Sequence, residues 1–463
     1  MKYNTERTEV SEINIAYIGG GSRGWAWNLM GDLALQESLS GTVKLYDIDQ
    51  QAAEDNEVIG NRLFSREDVK SDWEFEAVSD LETALEGVDF VIISILPGTF
   101  AEMESDVHTP EKYGIYQSVG DTTGPGGIIR ALRTIPMYVE IAEAIKKVAP
   151  EAWVINYTNP MTLCVRTLYE IFPQIKAFGC CHEVFGTQHL LAEMLEEMCG
   201  IEDAKREDIK VNVLGINHFT WLDQAYYKGM DLFPLYEKFV NKHYESGYGE
   251  YDPDAYFSST SRVKFDLFKR YGVIAAAGDR HLAEFVSGDW YLKDPETVQE
   301  WGFNLTPVSW RKEDKKKRLK KSQKLVSGKE KVELSKSGEE GITQMKSLLG
   351  LRDKVTNVNL PNRGQMPDLP EGAVVETNAH FSSNSLEPIT SGHLPHDVKN
   401  LVTHQVLNQE TILRAVLNRD RQQAVNAFAN DPLVTIGHRK AEKLFTEMVQ
   451  KTKKYLPEEM KDW

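Results

Sequence analysis

Cys180-Cys181-His182-Glu183-Val184 and, further along, Gly215-Ile216-Asn217-His218-Phe219 supply residue types that hold a transition metal. Thiolate and imidazole both suit such an ion. Two candidate ligands, Cys181 and His218, do not close a structural site, so a metal there would be open, with substrate oxygens completing its coordination. A buried cysteine and a hydrogen-bonded core histidine would leave the same trace. A bridge between Cys180 and Cys181 is disfavoured, because vicinal disulfides are strained. A third segment, Tyr271–Phe285, gathers Asp279, Arg280, His281 and Glu284 behind a predicted helix. It reads as an active-site loop, or as a capping Asp among surface charges.

A phosphate-binding signature stands near the start. Gly19, Gly21 and Gly24, with Ser22 and Arg23 between them, match G-x-G-x-x-G between a strand and a helix. Glycines there permit a tight turn and close approach of a pyrophosphate, whose charge the helix N-terminus stabilises. Asp47 ends the next strand about 20 residues on, where an acid can hold both ribose hydroxyls and favour NAD over NADP. A second glycine-rich stretch, Gly120–Gly127, precedes a helix carrying Arg130 and Arg133. It fits an anion-binding loop and a helix start with positive φ equally well. Asn156 and Asn159, in Asn156-Tyr157-Thr158-Asn159-Pro160, follow a strand end, where doubly wound sheets place their ligands. Their amides suit a nicotinamide carboxamide or a sugar hydroxyl, although Asn and Pro are also ordinary turn residues.

The elements that must position these residues alternate in the first third of the chain. Strands are predicted at Ile13–Ile18, Thr42–Asp47, Trp73–Ala77, Phe90–Ile95 and Trp153–Asn156, with helices at Gly24–Leu35, Asp80–Leu85 and Ile135–Val148. Such alternation gives a parallel sheet covered on both faces. Beyond about residue 200 come predicted strands at Ile209–Leu214 and Phe219–Tyr227, a hairpin turn at Tyr227–Asp231, and helices at Ser259–Tyr271, His396–Leu417 and His438–Tyr455. The expected fold is therefore α/β: a Rossmann-type doubly wound domain over residues 1–200, then an α+β domain over 201–463.

The chain has 463 residues and a formal charge of −17, from 53 Lys+Arg against 70 Asp+Glu. That acidity disfavours nucleic acid and anionic membrane as partners. The basic run Arg311–Lys321 lacks interleaved aromatics and is read as a solvated helix face or a mobile lobe. Four cysteines do not make a disulfide framework, the N-terminus has no signal-peptide pattern, and no apolar run is long enough to span a bilayer. A soluble cytoplasmic protein is expected.

Taken together, the Gly19–Gly24 turn, Asn156–Pro160, Cys181-His182-Glu183-Val184, Asn217-His218 and the Tyr271–Phe285 loop resemble the family-four glycoside hydrolases along essentially the whole chain. The Cys-His-Glu-Val form is similar to the branch acting on α-galacturonides. The resemblance implies a lactate-dehydrogenase-like architecture and a glycosidase that works by redox, elimination and addition. In that scheme NAD⁺ takes hydride from sugar C3, a base removes the C2 proton, the glycosidic oxygen leaves, water adds, and the hydride returns. Mn²⁺ between Cys181 and His218 is implied, with Asn156 among the cofactor contacts and Asn159 and Glu183 among the substrate contacts. His182 stands where some relatives carry an acid Asp. For the base, Asp279 is expected first, with His281 and Tyr271 behind it. Arg130 and Arg280 are the expected partners of a uronate carboxylate. Relatives of this architecture imply a homodimer or homotetramer.

The alternatives are an α-glucuronidase or 6-phospho-glycosidase of the same family, a 2-hydroxy-acid dehydrogenase, and a non-catalytic NAD-binding sensor. Dehydrogenases carry their histidine in a Gly-x-His-Gly-Asp-like segment, which Asn217-His218-Phe219-Thr220 does not match.

Overall fold

The computed structural model describes all 463 residues. Six parallel strands form its first sheet: β1 (Val10–Ile18), β2 (Leu39–Tyr46), β3 (Trp73–Val78), β4 (Phe90–Ile93), β5 (Trp153–Asn156) and β6 (Lys176–Gly179). Their spatial order is β3-β2-β1-β4-β5-β6, the dinucleotide-fold arrangement, with the chain reversing direction of travel between β1 and β4. Strands buried on both faces read as continuous apolar runs, and every residue of β4, Phe90-Val91-Ile92-Ile93, is buried. Along β1 the side chains alternate between faces. Ile13, Ile15 and Tyr17 pack with Met30, Leu33 and Phe75, while Ala16 and Ile18 pack with Tyr138, Ile141 and Ile145. Each such large apolar side chain contributes about 1.5–3 kcal/mol by burial.

The sheet does not stop with the first half of the chain. A hairpin of β9 (Lys354–Pro361) and β10 (Val374–Ser382), extended by β11 (Ser385–Pro388), adds antiparallel beyond β6, and Lys2–Tyr3 pairs with β1, giving ten strands. One sheet thus spans both expected domains. The reading of residues 201–463 did not include β9 or β10. In the second half, β7 (Ile209–Ile216) and β8 (Phe219–Tyr227) form a separate antiparallel sheet with Met230–Asp231 and Ile274–Ala275. Helices His396–Leu417, Arg421–Asn430 and His438–Thr452 close the molecule around Trp221, Phe428 and Phe445.

One expectation changes and another is met. The helix predicted from Ile135 begins at Gly124, with Pro136 inside it. The basic run lies on the helix Val308–Val326 with most of its side chains exposed, the solvated face expected, and that helix packs against the first half of the chain. Arg318 Nη1 donates to the Arg23 carbonyl at 3.0 Å, and Arg62 Nη1 donates to the Leu325 and Val326 carbonyls at 2.5 and 2.6 Å. No helix is long and apolar enough to cross a membrane.

Candidate active site

The glycine turn follows β1, and its small residues are dictated first by packing. Gly19 has φ +95°, and a Cβ there would lie 2.1 Å from the Ser94 carbonyl oxygen. At Gly21 a Cβ would lie 2.7 Å from Ala52 Cβ. Ser22 N–H donates to the Gly19 carbonyl at 3.0 Å, and buried Asn56 donates to the Gly20 and Ser22 carbonyls. Asp47 accepts from Gly21 N–H and Asp49 N–H, each at 2.9 Å, so it clamps the turn. The helix Trp25–Ala34 then begins at Gly24 with no capping side chain and no acid in its first turn. Its leading N–H groups are free for an anion. Arg23 Nε is buried without a partner, and its terminal nitrogens lie 3.9 Å from Asp49 and Asp55. These features fit a pyrophosphate.

Asn156 is turned inward. Its Oδ1 accepts from Tyr138 OH at 2.5 Å and Thr158 N–H at 3.2 Å, and its Nδ2 donates to the Thr158 carbonyl at 3.0 Å.

The second region is assembled from segments distant in sequence: a loop, a strand turn and the short helix Asp279–Leu282. Asp121, His218 and His281 each offer a ligand atom, and these atoms lie within 4.8 Å of one another. His218 sits on the β7–β8 turn with φ +64°, a left-handed conformation that costs a non-glycine residue energy and is held by its surroundings. Its Nδ1 meets Thr122 Oγ1 at 2.9 Å, and its ring lies 3.7 Å from that of His281. His281 Nδ1 is buried without a partner. Burial, then the neighbouring His281, lowers the His218 pKa to about 3. Burial pushes Asp121 up, but Arg130, His218 and His281 outweigh it and bring the carboxyl down to about 2. Two imidazoles and a carboxylate with an orphaned nitrogen fit a first-row divalent cation with open positions.

Three buried acids support this cluster. Glu284 Oε1 accepts from Val119 and Gly120 N–H at 2.7 and 2.9 Å, fixing the loop that carries Asp121, and burial pushes its pKa up to about 8. Asp431 accepts from Thr123 Oγ1 and Gly124 N–H at the other end of the loop. The glycines within it serve packing, since a Cβ at Gly126 would lie 2.6 Å from the Gly120 carbonyl. Glu376, on β10, accepts from the amides of Asn217, Asn357 and Asn359 at 3.2, 2.7 and 3.1 Å. The Oδ1 atoms of Asn159, Asn217 and Asn359 are left buried without a partner.

The remaining expected residues divide. Glu183 opens the helix Glu183–Cys199, accepts from Gly278 N–H at 2.7 Å and lies 3.8 Å from His281 Nε2. Asn159 Nδ2 donates to Asp121 at 3.3 Å, and Arg130 Nε to the Asn159 carbonyl at 2.9 Å. His182 is exposed and meets Glu339 at 3.0 Å, a contact that raises its pKa. Asp279 is buried, with Oδ1 accepting from Lys264 N–H at 3.0 Å and Oδ2 unpartnered. Arg280 is pinned through Nε to the Asn304 carbonyl and through Nη2 to the Ser118 carbonyl and Thr306 Oγ1.

Cys181, expected opposite His218, is outside the three-residue cluster. It packs with Met161, Val165 and Val374, and burial, aided by Glu376 and Glu183, keeps its thiol pKa well above the usual value. Tyr271 is withdrawn: its ring meets Trp221 edge-on at 5.8 Å, against the C-terminal core. Sequence reasoning did not single out Asp121, Glu376, Glu284 as a loop anchor, or Lys264. Lys264 is a buried ammonium bonded to Thr187 Oγ1, lowered to about 8 by burial against the pull of Asp279 and Glu183. Asp121 did carry a signal, as the one acid inside the Gly120–Gly127 stretch.

Comparison with known proteins matches residues 14–197 to the family 4 glycosyl hydrolases and residues 213–434 to the C-terminal domain of that family. An alpha-galacturonidase of Thermoanaerobacterium saccharolyticum is 68% identical over 460 residues, covering 98% of each chain. The crystal structure of lplD from Bacillus subtilis superposes with a TM-score of 0.90 at 55% identity, over 95% of this chain and 100% of that one. A 6-phospho-alpha-glucosidase from gut microorganisms, solved in complex with NAD and Mn²⁺, shares the fold with a TM-score of 0.81 at 20% identity, over 96% of this chain and 99% of that one.

Proposed function

This chain belongs to the family 4 glycosyl hydrolases, and we propose that within the family it hydrolyses α-galacturonides such as pectin-derived oligosaccharides. One observation carries the substrate class: the kinship with an alpha-galacturonidase extends over 98% of both chains. NAD and a divalent ion such as Mn²⁺ are the cofactors of this reading, supported by the uncapped helix behind Gly24 and by the donor set around His218. Bound, they supply a hydride acceptor for the sugar and a Lewis acid for its oxygens.

The chain's own residues do the rest. The first-turn N–H groups of Trp25–Ala34 and Arg23 bind the pyrophosphate, and Asp47 stands at the strand end suited to the ribose. His218 is the metal ligand common to the sequence reading and the clustered geometry; Asp121 and His281 join it in the cluster, Cys181 in the family resemblance. Asn159, with its Oδ1 unpartnered, orients a sugar hydroxyl. Asp279, whose Oδ2 is equally unpartnered, takes the C2 proton; His281, two residues on in the same short helix, is the other base if Cys181 and His218 hold the metal without it. His182, exposed beside Glu339, gives a proton to the departing glycosidic oxygen. Residues 1–200 hold the dinucleotide and 201–463 complete the sugar pocket, in a dimer or tetramer whose size light scattering reads directly.

The test is release of galacturonate from digalacturonate by the purified protein, with and without NAD⁺, Mn²⁺ and a thiol reductant. Hydrolysis requiring both cofactors, with no net NADH, is expected. Cleavage of a glucuronide or a 6-phospho-glycoside instead would overturn the substrate. Steady NADH release would make the protein a dehydrogenase, and cofactor binding without cleavage of any glycoside would make it a sensor.

A further inference from the structure

A uronic acid differs from a neutral sugar by one planar anion, and some part of the pocket must meet it. Arg130 is engaged with the Asn159 carbonyl, and Asp121 is the acid acting most strongly on it. Arg280 has Nε and Nη2 fixed by protein oxygens, leaving only Nη1 without a partner. Arg280 therefore presents no free fork, and Arg130, 5% exposed, has its charge directed to the cluster's own carboxylate.

Arg311 does. It lies in the first turns of the helix Val308–Val326, half-buried, and its guanidinium makes no hydrogen bond and no ion pair. What holds it is aromatic: its Cζ is 5.8 Å from the Phe257 ring and 5.8 Å from the Trp310 ring. The same Phe257 ring carries Arg280, at 5.0 Å. Phe257 itself is 54% exposed, although its ring meets Trp310 at 5.1 Å. Two guanidinium groups therefore share one aromatic ring at the edge of the catalytic cluster, with no carboxylate bridging them. Like charges so arranged repel, and an anion received between them would relieve the repulsion while gaining charge-assisted hydrogen bonds. The acid whose field reaches Arg311 most strongly is Asp121, the cluster's own carboxylate, which puts Arg311 within electrostatic range of the reacting sugar.

We propose that Arg311, seated on Phe257 beside the free edge of Arg280, forms the subsite that binds the carboxylate of the uronic acid. This rests on the galacturonide reading above. A planar fork matches a planar carboxylate in a way a lysine does not. Arg280 is the fixed half of the pair, and Arg311 is the half that selects.

The experiment compares wild type with Arg311→Ala and Arg311→Lys, each loaded with NAD⁺ and Mn²⁺. Digalacturonate is the substrate; galacturonate, galactose and galactose 6-phosphate are the competitive inhibitors. Arg311→Ala is expected to raise KM and the galacturonate inhibition constant by about ten- to a hundredfold, with kcat within about threefold of wild type. The galactose constant should stay unchanged, and Arg311→Lys should recover only part of the loss. Equal weakening of galacturonate and galactose, or no change in either, overturns the subsite while leaving the galacturonidase reading intact. Tighter wild-type inhibition by galactose 6-phosphate than by galacturonate makes this a phosphate site and overturns the carboxylate. If wild type neither cleaves digalacturonate nor binds galacturonate, the functional reading fails and the subsite fails with it. Should Arg311→Ala not fold, Arg311→Lys and Arg311→Gln carry the same comparison.

Discussion

The dinucleotide turn and the metal-type cluster are built on opposite plans. The turn is local: Gly19 to Gly24 follow one strand, and their spacing is enforced by the Ser94 carbonyl and by Asp47 and Ala52, so a single substitution collides with backbone. The cluster is remote: Asp121 comes from a loop, His218 from a strand turn and His281 from the short helix Asp279–Leu282, and Glu284, Asp431 and Thr122 hold the first two in place. A turn whose function coincides with its packing should fail by unfolding. A cluster held from a distance should fail by losing its ligand while the fold survives.

The largest effect expected from this contrast is at His218. His218→Ala should lower activity by at least about a thousandfold, the loss of several kcal/mol of charge stabilisation, while NAD⁺ affinity and thermal stability stay near wild type. Comparing Cys181→Ser with Asp121→Asn by Mn²⁺ titration sharpens the point. Whichever abolishes binding belongs to the ligand set with His218.

Gly19→Ala should do the reverse. A Cβ forced against the Ser94 oxygen at φ +95° should cost about 2 kcal/mol or more, read as a lower urea midpoint. A Gly19→Ala protein of unchanged stability that had lost only NAD⁺ would break the comparison.

Glu284→Gln tests the scaffold behind the cluster. With one carboxylate oxygen replaced by an amide, the Ser118–Asp121 loop should loosen, weakening Mn²⁺ by about tenfold with little change in melting temperature. Unaltered Mn²⁺ affinity would mean that Asp121 is held by Asp431 and Thr122 without it.

The smallest effect lies outside both regions. Glu447 is held down to about 2 by Lys451, Lys112 and Tyr113, which tie the C-terminal helix to the chain near Lys112. Because its folded pKa is depressed, its contribution is fully present above its unfolded value of about 4.3 and is lost as pH falls toward 2. Glu447→Gln should flatten that acid-side decline in urea stability without touching activity.

The same contrast explains what the sequence made legible. β1, β4, β5 and β8 were readable because buried strands announce themselves as apolar runs, and the glycine turn because its parts are adjacent. The start of the helix at Gly124, with φ +70°, was only half legible, as one of two equal readings of Gly120–Gly127, because close contacts with Gly120 and Thr122 rather than any local signal make Gly124-Pro125-Gly126-Gly127 a first turn. His218 and His281 were named from their motifs, yet nothing local couples them to Asp121, which a different loop delivers. Arg311 was hidden in a run of lysines. Its neighbours in sequence are solvated charges, and its neighbours in space are Phe257 and Trp310.

The hairpin of β9 and β10 has a consequence for how the molecule is made. β6 is laid down by residue 179, but its outer edge is covered only through Asn359, on a strand the ribosome has yet to synthesise. Until then a nascent chain carries an open parallel sheet edge, a template for pairing with other chains. Truncation before residue 354 should therefore yield aggregate, and the first half of this protein is one that a holdase chaperone should shield during translation.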